Sequence, residues 1–264
     1  MLLALDIGNS QTSYGVFKEK KLIHHWRAET KISRTAEEYA AFLFPLLDHF
    51  ALSKTEWEGI AVCSVVPPAD ENFRLFCETF LGKSPFKITS KVDLGFALNV
   101  EVPDEVGADR LANSAYAVKH MKLPAIVVDL GTATTFDVIS TTPAFEGGII
   151  LPGVRMGAES LSRNTSLLPI VDVQFPPSVI GKNTVTCIQS GVLYGYCDAI
   201  DGLLKRLLKE LPGAEIALTG GVAPIFMKHM KLPVRYLPNL TLEGTEILFR
   251  RVQSTSLGKN QNCV

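Results

Sequence analysis

The strongest constraint on how this chain folds is a repeat. The stretches LLALDIGNSQTSYGVF (2–17) and AIVVDLGTATTFDVIS (125–140) follow one grammar. In each, an apolar run with the composition of a buried strand ends at an acid, a glycine follows, and a second β-prone run carries threonine. Asp6 matches Asp129, Gly8 matches Gly131, Thr12 matches Thr135 and Val16 matches Ile139, all at one constant interval. Glycine lets the backbone turn sharply and leaves amides open to a ligand. An acid beside such amides and hydroxyls suits a phosphate with a cation attached. One copy alone reads equally well as an ordinary hairpin with a Gly turn. Two copies in register predict duplicated half-domains, each offering a phosphate-binding turn to a shared cleft.

The remaining composition narrows the class. With 264 residues, 47% of them hydrophobic, the chain can bury one large core or two modest ones. A net charge of −1 supplies no global basic field for nucleic acid. No apolar run reaches the roughly 18 residues of a membrane helix, and no basic segment precedes the first apolar run as in a signal peptide. The cysteines, Cys63, Cys77, Cys187, Cys197 and Cys263, show no CxxC spacing, so reduced thiols in a cytosolic protein are expected. The histidines show no HxxxH pattern, which argues against zinc.

Along the chain, strands are expected at Leu2–Ile7, Thr12–Phe17 and Leu22–Ala28, with Lys18–Lys20 as a hairpin turn. Thr35 and Glu38 form a capping box ahead of a helix in which Pro45 predicts a kink or an early end. A strand over Gly59–Val66 is expected to stop at Pro67-Pro68, with a helix over Asp70–Leu81 and a short strand over Phe86–Thr89. A helix opens at Val106–Arg110. In the second half, a strand over Gly147–Leu151 precedes a helix over Val154–Ser162. A long helix, continuous or broken, covers Thr184–Leu211 and is stopped by Pro212-Gly213. A strand over Ile216–Leu218, the Thr219-Gly220-Gly221 turn, a helix, a strand over Val234–Leu237 and a helix over Leu242–Val252 follow, with a frayed polar tail from Gln253. The alternation is that of an α/β fold.

Two familiar nucleotide motifs are absent. Gly181-Lys182-Asn183-Thr184 looks like the tail of a Walker A loop, but Pro176 stands where the upstream glycine is required. No GxGxxG opens a helix. Asp109-Arg110 falls in a helical first turn, where the positive end of the helix dipole favours an ionised acid. It reads either as an ordinary helix-start acid or as a proton acceptor beside an anion-holding cation. Thr219-Gly220-Gly221 reads as a tight βα turn or as bare backbone under a nucleoside. Glu146-Gly147-Gly148 reads as a strand bulge or a close backbone approach.

Taken together, DIGNS (6–10), EVGADR (105–110), VVDLGTATTFDVIS (127–140), GGIILPG (147–153), IGKNTVTCIQSGVLYGY (180–196) and TGGVAP (219–224) resemble the type III pantothenate kinases, in order and over nearly the whole chain. That family belongs to the superfamily of actin, hexokinase and the heat-shock-chaperone ATPases. The resemblance implies two duplicated actin-like, ribonuclease H-like α/β halves at 1–117 and 118–252 around an interdomain cleft, with 253–264 as a polar tail. It implies ATP-dependent phosphorylation of pantothenate at its 4′-hydroxyl, the first step of coenzyme A biosynthesis, by a cytoplasmic homodimer with no nucleic-acid or membrane partner. It also implies ATP with Mg²⁺ as the divalent cation, and K⁺ or NH₄⁺ as a monovalent one.

Carried over position by position, the resemblance gives Asp6, Ile7, Gly8, Asn9, Ser10, Gln11, Thr12 and Ser13 to the ATP phosphate loop, with Thr132 a further ATP contact. Gly107, Ala108, Asp109, Arg110 and Thr184 would hold pantothenate, Asp109 as the catalytic proton acceptor. Asp129 would bind the monovalent cation. Two positions depart from the family pattern: Ser10 replaces a threonine and keeps the hydroxyl, whereas Val100 replaces a substrate-contacting tyrosine and loses the phenol. Val100 raises the alternative of a non-catalytic accessory protein on the same fold, against which stand Asp6, Asp109 and Asp129. A phosphatase of the superfamily is opposed by the GADR run. Gly191 and Gly195, one helical turn apart, allow a close helix approach within the subunit or between the subunits of a dimer.

Overall fold

A computed structural model describes residues 1–52 and 56–261, with side chains described through residue 255. Cys263 and the last residues of the expected tail lie outside it. The chain divides into two compact units, one of residues 1–97, 101–116 and 240–264, the other of 98–100 and 117–239.

The first unit is built on β1 (Leu2–Ile7), whose side chains are all buried apart from Asp6. It pairs antiparallel with β2 (Gln11–Lys18) and parallel with β4 (Gly59–Ser64). With β3 (Lys21–Glu29) and β5 (Phe86–Lys87) the sheet order is β3-β2-β1-β4-β5. Glu19 and Lys20 take φ of 50° and 68°, the left-handed pair that a tight two-residue hairpin turn requires. Helix α1 (Ala36–His49) opens with the expected box: the Thr35 hydroxyl accepts from the Glu38 N–H, and the Glu38 carboxylate accepts from the Thr35 N–H. It runs through Pro45 to His49, so the proline does not end it; burial of Leu43 and Leu47 on either side outweighs the lost backbone bond.

The Pro67-Pro68 pair does not lie between strand and helix. It forms the first turn of α2 (Pro67–Phe80), where the missing N–H groups have no intrahelical partner to lose. Helix α3 (Ala108–His120) follows a single 3-10 turn at Pro103–Glu105.

The C-terminal helix differs most from expectation. Helix α7 (Leu240–Gln261) is not confined to 242–252, and residues 253–261 are helical rather than frayed. It groups with the first unit, whereas the resemblance implies a second half running to 252. Leu242 and Phe249 pack with Leu2, Ala4, Phe17 and Ala61 on the β1–β4 face. Gly244 sits against α3, since a Cβ there would stand 1.9 Å from the Ala112 carbonyl oxygen.

In the second sheet the order is β11-β10-β7-β8-β9-β6, for β6 (Ala97–Leu98), β7 (Ala125–Leu130), β8 (Ala133–Ile139), β9 (Ala144–Pro152), β10 (Glu215–Thr219) and β11 (Arg235–Tyr236). Reading β7, β8, β9, β10 and β11 for β1, β2, β3, β4 and β5 reproduces the first sheet, with β6 added at one edge. The pairings also match: β7 is antiparallel to β8 and parallel to β10. Gly147, at φ 96°, lies in β9 near a register shift against β8, which supports the bulge reading. Helix α4 (Val154–Arg163) is followed by α5 (Thr184–Glu210), which is unbroken and capped by Asn183; the short α6 (Ala223–Met227) follows β10. Among the described residues no helix is long and apolar enough to cross a membrane. Cys63, Cys77 and Cys197 are buried thiols, and Cys187 is an exposed one.

Candidate active site

The two repeated hairpins coincide in topology but not residue for residue. In the first, the Gly8 N–H donates to the Gln11 carbonyl at 3.1 Å, enclosing Asn9 and Ser10. In the second, the Gly131 N–H donates to the Ala133 carbonyl at 3.1 Å, enclosing Thr132 alone. The second turn is therefore one residue shorter. Ile7 faces Thr12 across the first ladder, and Leu130 faces Thr134 across the second. The structural equivalent of Thr12 is thus Thr134, not Thr135, and that of Val16 is Val138, not Ile139. Thr12 and Thr134 are both buried, as that equivalence demands. The constant sequence interval holds for the acids and glycines and slips by one along the second strands.

In the first hairpin, Asp6 is half-buried at the end of β1, opposite Ser13 on β2 and Cys63 on β4. Asn9, Ser10 and Gln11 are exposed, while Gly8 and Ser13 are half-buried. The Ile7 side chain is in the core, which leaves only its backbone for a ligand. The Thr12 Oγ1 lies 2.8 Å from the Thr30 Oγ1 inside the hairpin.

Gly107–Arg110 form the second cluster of this unit. The Asp109 Oδ1 accepts the Arg110 N–H at 2.8 Å, and the Leu111 N–H bonds back to Gly107 at 3.1 Å. Ala108 is buried, and the Arg110 side chain is half-buried. Burial pushes the Asp109 carboxyl above the usual aspartate range, against the Arg110 N–H and guanidinium, which pull it down. The sequence led us to expect a helix dipole that keeps this acid firmly ionised; desolvation is the larger effect.

Val65, which sequence reading passed over, links the two clusters. Its N–H donates to the Ile7 carbonyl at 3.1 Å, and its Cγ1 stands 3.5 Å from where a Gly107 Cβ would be. The turn after β1 and the start of α3 thus meet at the C-terminal ends of β1 and β4. Ligands of open α/β sheets bind outside such strand ends. In the sequence Val65 reads only as part of the strand expected over Gly59–Val66; the strand in fact ends at Ser64, which frees the Val65 N–H for Ile7.

In the second unit Asp129 is half-buried near the end of β7, opposite Thr219 on β10 and Thr135 on β8. Gly220 has φ 94°, and a Cβ there would stand 2.5 Å from the Leu130 carbonyl and 2.6 Å from the Asp129 Oδ1. The bare backbone is therefore required by Asp129 and Leu130 themselves, which supports the tight-turn reading of Thr219-Gly220-Gly221. Thr132 is exposed, and its carbonyl accepts the Gly153 N–H at 3.0 Å.

Thr184 lies apart from Asp129 along the chain, as the exposed first residue of α5 after the Asn183 cap. It lines a groove of about 940 Å³ with Leu161, Leu168, Ile188, Gly191 and Gly195. Among the described residues, a Cβ on Gly191 or Gly195 would meet nothing within 4 Å, so both positions have room for a side chain. Val100 is half-buried, its Cγ1 lying 3.7 Å from where a Gly147 Cβ would stand. Among the described residues no group of three or more His, Cys, Asp or Glu could hold a metal ion.

Comparison with known proteins identifies the family. Residues 2–206 match the family model for type III pantothenate kinase. Curated relatives of that name include one from Roseiflexus sp. (strain RS-1), 39% identical over 255 residues and covering 96% of this chain and all of the relative. Another, from Koribacter versatilis, is 39% identical and covers 97% of each chain. Among solved structures, the activator of the 2-hydroxyisocaproyl-CoA dehydratase from Clostridium difficile, with bound ADPNP, superposes with a TM-score of 0.54 at 10% identity over 97% of each chain. The ethanolamine utilization protein EutJ from Carboxydothermus hydrogenoformans superposes with a TM-score of 0.53 at 15% identity, covering 93% of this chain and 89% of that one. At such identities these structures establish the actin-like fold alone.

Proposed function

We infer, from the fact that this chain belongs to the type III pantothenate kinase family, that it transfers the γ-phosphoryl group of ATP to the 4′-hydroxyl of pantothenate. The product is 4′-phosphopantothenate, and the reaction is the first step of coenzyme A biosynthesis. The observation that carries this is the family match over residues 2–206 together with full-length relatives.

Phosphoryl transfer is mostly positioning and charge stabilisation. In our reading the turn Asp6–Ser13 holds the ATP phosphates through the exposed Asn9, Ser10 and Gln11. Thr132 offers a further contact from the second turn. Asp109 accepts the proton of the pantothenate hydroxyl, and its raised pKa makes it a better base than an exposed aspartate. Arg110 holds an anionic substrate group; Gly107, Ala108 and Thr184 complete the pantothenate contacts. Val100, in place of a tyrosine, narrows the polar contacts available to pantothenate.

The residues present fit the implied ions. A half-buried carboxylate at Asp129, beside the Leu130 carbonyl, offers oxygen donors of the kind that hold K⁺ or NH₄⁺. Such an ion would offset phosphate charge. Mg²⁺ is carried largely by nucleotide phosphates and water with one or two carboxylates, and Asp6, half-buried beside the first turn, would supply one. We place the enzyme in the cytoplasm as a homodimer formed through the second unit, since Gly191 and Gly195 face an open apolar groove.

The direct test measures ADP release and 4′-phosphopantothenate by mass, with and without pantothenate, in potassium and in sodium. ADP release that does not depend on pantothenate in either salt would overturn the assignment.

A further inference from the structure

We propose that Thr30 is a positioning residue that aims the first phosphate turn, an inference resting on the ATP-binding reading of that turn. Thr30 follows β3 directly and grips the turn twice. Its N–H donates to the Ser10 carbonyl at 3.1 Å, and its Oγ1 donates to the Gly8 carbonyl at 2.7 Å. A hydroxyl carries one proton. Because the Thr30 proton goes to Gly8, the 2.8 Å bond between Thr12 and Thr30 has Thr12 as donor. The relay runs from the buried Thr12 through Thr30 to the Gly8 carbonyl, so Thr12 acts on the turn from inside the hairpin.

The consequence follows from the planar trans peptide. The N–H of Asn9 points opposite to the Gly8 carbonyl, and the N–H of Gln11 opposite to the Ser10 carbonyl. Holding both carbonyls on Thr30 turns these two N–H groups toward the other side of the turn. Two backbone N–H groups aimed one way give an anion two donors. Asn9, Ser10 and Gln11 are exposed, so a phosphate can reach both.

The repeat supplies an internal control. Gly153 occupies the same place in the second unit: it follows β9 directly, and its N–H donates to the Thr132 carbonyl at 3.0 Å. Only the backbone half of the clamp is repeated. A Cβ on Gly153 would stand 2.1 Å from the Thr132 oxygen, so that position cannot carry a hydroxyl. The side-chain clamp belongs to the first turn alone.

Thr30→Val keeps the shape and removes the hydroxyl; Thr30→Ser keeps the hydroxyl. We expect Thr30→Val to raise the KM for ATP, and the Kd for MgATP measured by calorimetry without pantothenate, roughly three- to tenfold, the usual net worth of one hydrogen bond. The KM for pantothenate and inhibition by adenosine, which has no phosphate, should stay as in the wild type, and Thr30→Ser should restore ATP binding. If Thr30→Val does not fold, Thr30→Ser against Thr30→Ala isolates the same hydroxyl. A melting-temperature loss with wild-type ATP constants, or equal losses for ATP and adenosine, overturns the proposal. Weakened MgATP binding in Thr30→Val beside a wild type that makes no phosphopantothenate overturns the pantothenate reading and leaves Thr30 standing. Wild-type protein that binds no MgATP overturns both.

Discussion

The Asp109 Oδ1 lies 2.5 Å from the point where a Cβ on Gly107 would stand. The carboxylate folds back over the glycine two residues earlier, and the glycine leaves room for that one pose. Because the colliding atom is the end of a side chain, Gly107→Ala is expected to fold and to displace the carboxylate instead. Misplacement by about 1 Å can lower turnover roughly 10²-fold. Phosphorylation kinetics and a thermal melt of Gly107→Ala check this: turnover should collapse while the melting temperature holds.

Asp109→Asn should keep the contact to the Arg110 N–H, because an amide oxygen accepts it equally. Turnover should fall by roughly 10²–10⁴ if the carboxylate is the base. In the wild type, burial raises this pKa, so the acid limb of kcat/KM should lie above the usual aspartate value of about 4. The effect on stability has the opposite sense. A carboxyl raised in the folded state favours folding when protonated, and that contribution disappears as pH rises through the folded pKa. The permanently neutral Asn variant should therefore be no less stable than the wild type at pH 7. Urea titrations at pH 7, beside a pH–rate profile, measure both; near-normal turnover would reduce Asp109 to a helix-start acid.

Asp129→Ala should lose activity through the monovalent cation. Titrating potassium into wild type and variant tests this, and an unchanged potassium response would reject the assignment. Gly220→Ala should act on the same group from the other side, since its Cβ would press on the Asp129 Oδ1 and the Leu130 carbonyl at a φ of 94°. Backbone strain of that kind costs about 1–3 kcal/mol, readable as a lower denaturation midpoint together with a weakened potassium response.

Replacing Gly191 and Gly195 by leucine should fill the open face of α5. Both sites are exposed, and leucine is the better helix former by somewhat under about 1 kcal/mol per site, so the subunit should not unfold. Sedimentation at micromolar concentration is expected to show a dimer for the wild type and a monomer for the double variant. A wild-type monomer would remove the homodimer from the proposal.

What was legible in the sequence was what is decided locally. The β1–β2 and β7–β8 hairpins, the Thr35–Glu38 box and the start of α3 depend on neighbours a few residues away. The features that were not legible are tertiary. Pro67-Pro68 reads as a breaker until Val66 and Ala69 are buried and the pair becomes a helix start. The slip that pairs Thr12 with Thr134 follows from one residue of turn length, invisible while the acids and glycines keep their interval. Thr30 drew no notice because its partners, Gly8, Ser10 and Thr12, lie across a ladder. Of the site residues, Asp109 stood out by type and position, whereas its environment, and hence its pKa, required the fold.

The grouping of α7 with the first unit has a consequence in time. Synthesis runs from the N-terminus, and domains tend to fold as they emerge. Residues 117–239 can complete their own sheet while the β1–β4 face of the earlier unit still lacks Leu242 and Phe249. The part of the chain translated first is thus finished last, and a ribosome stalled before residue 240 would hold a second unit able to close beside a first one with an open apolar face.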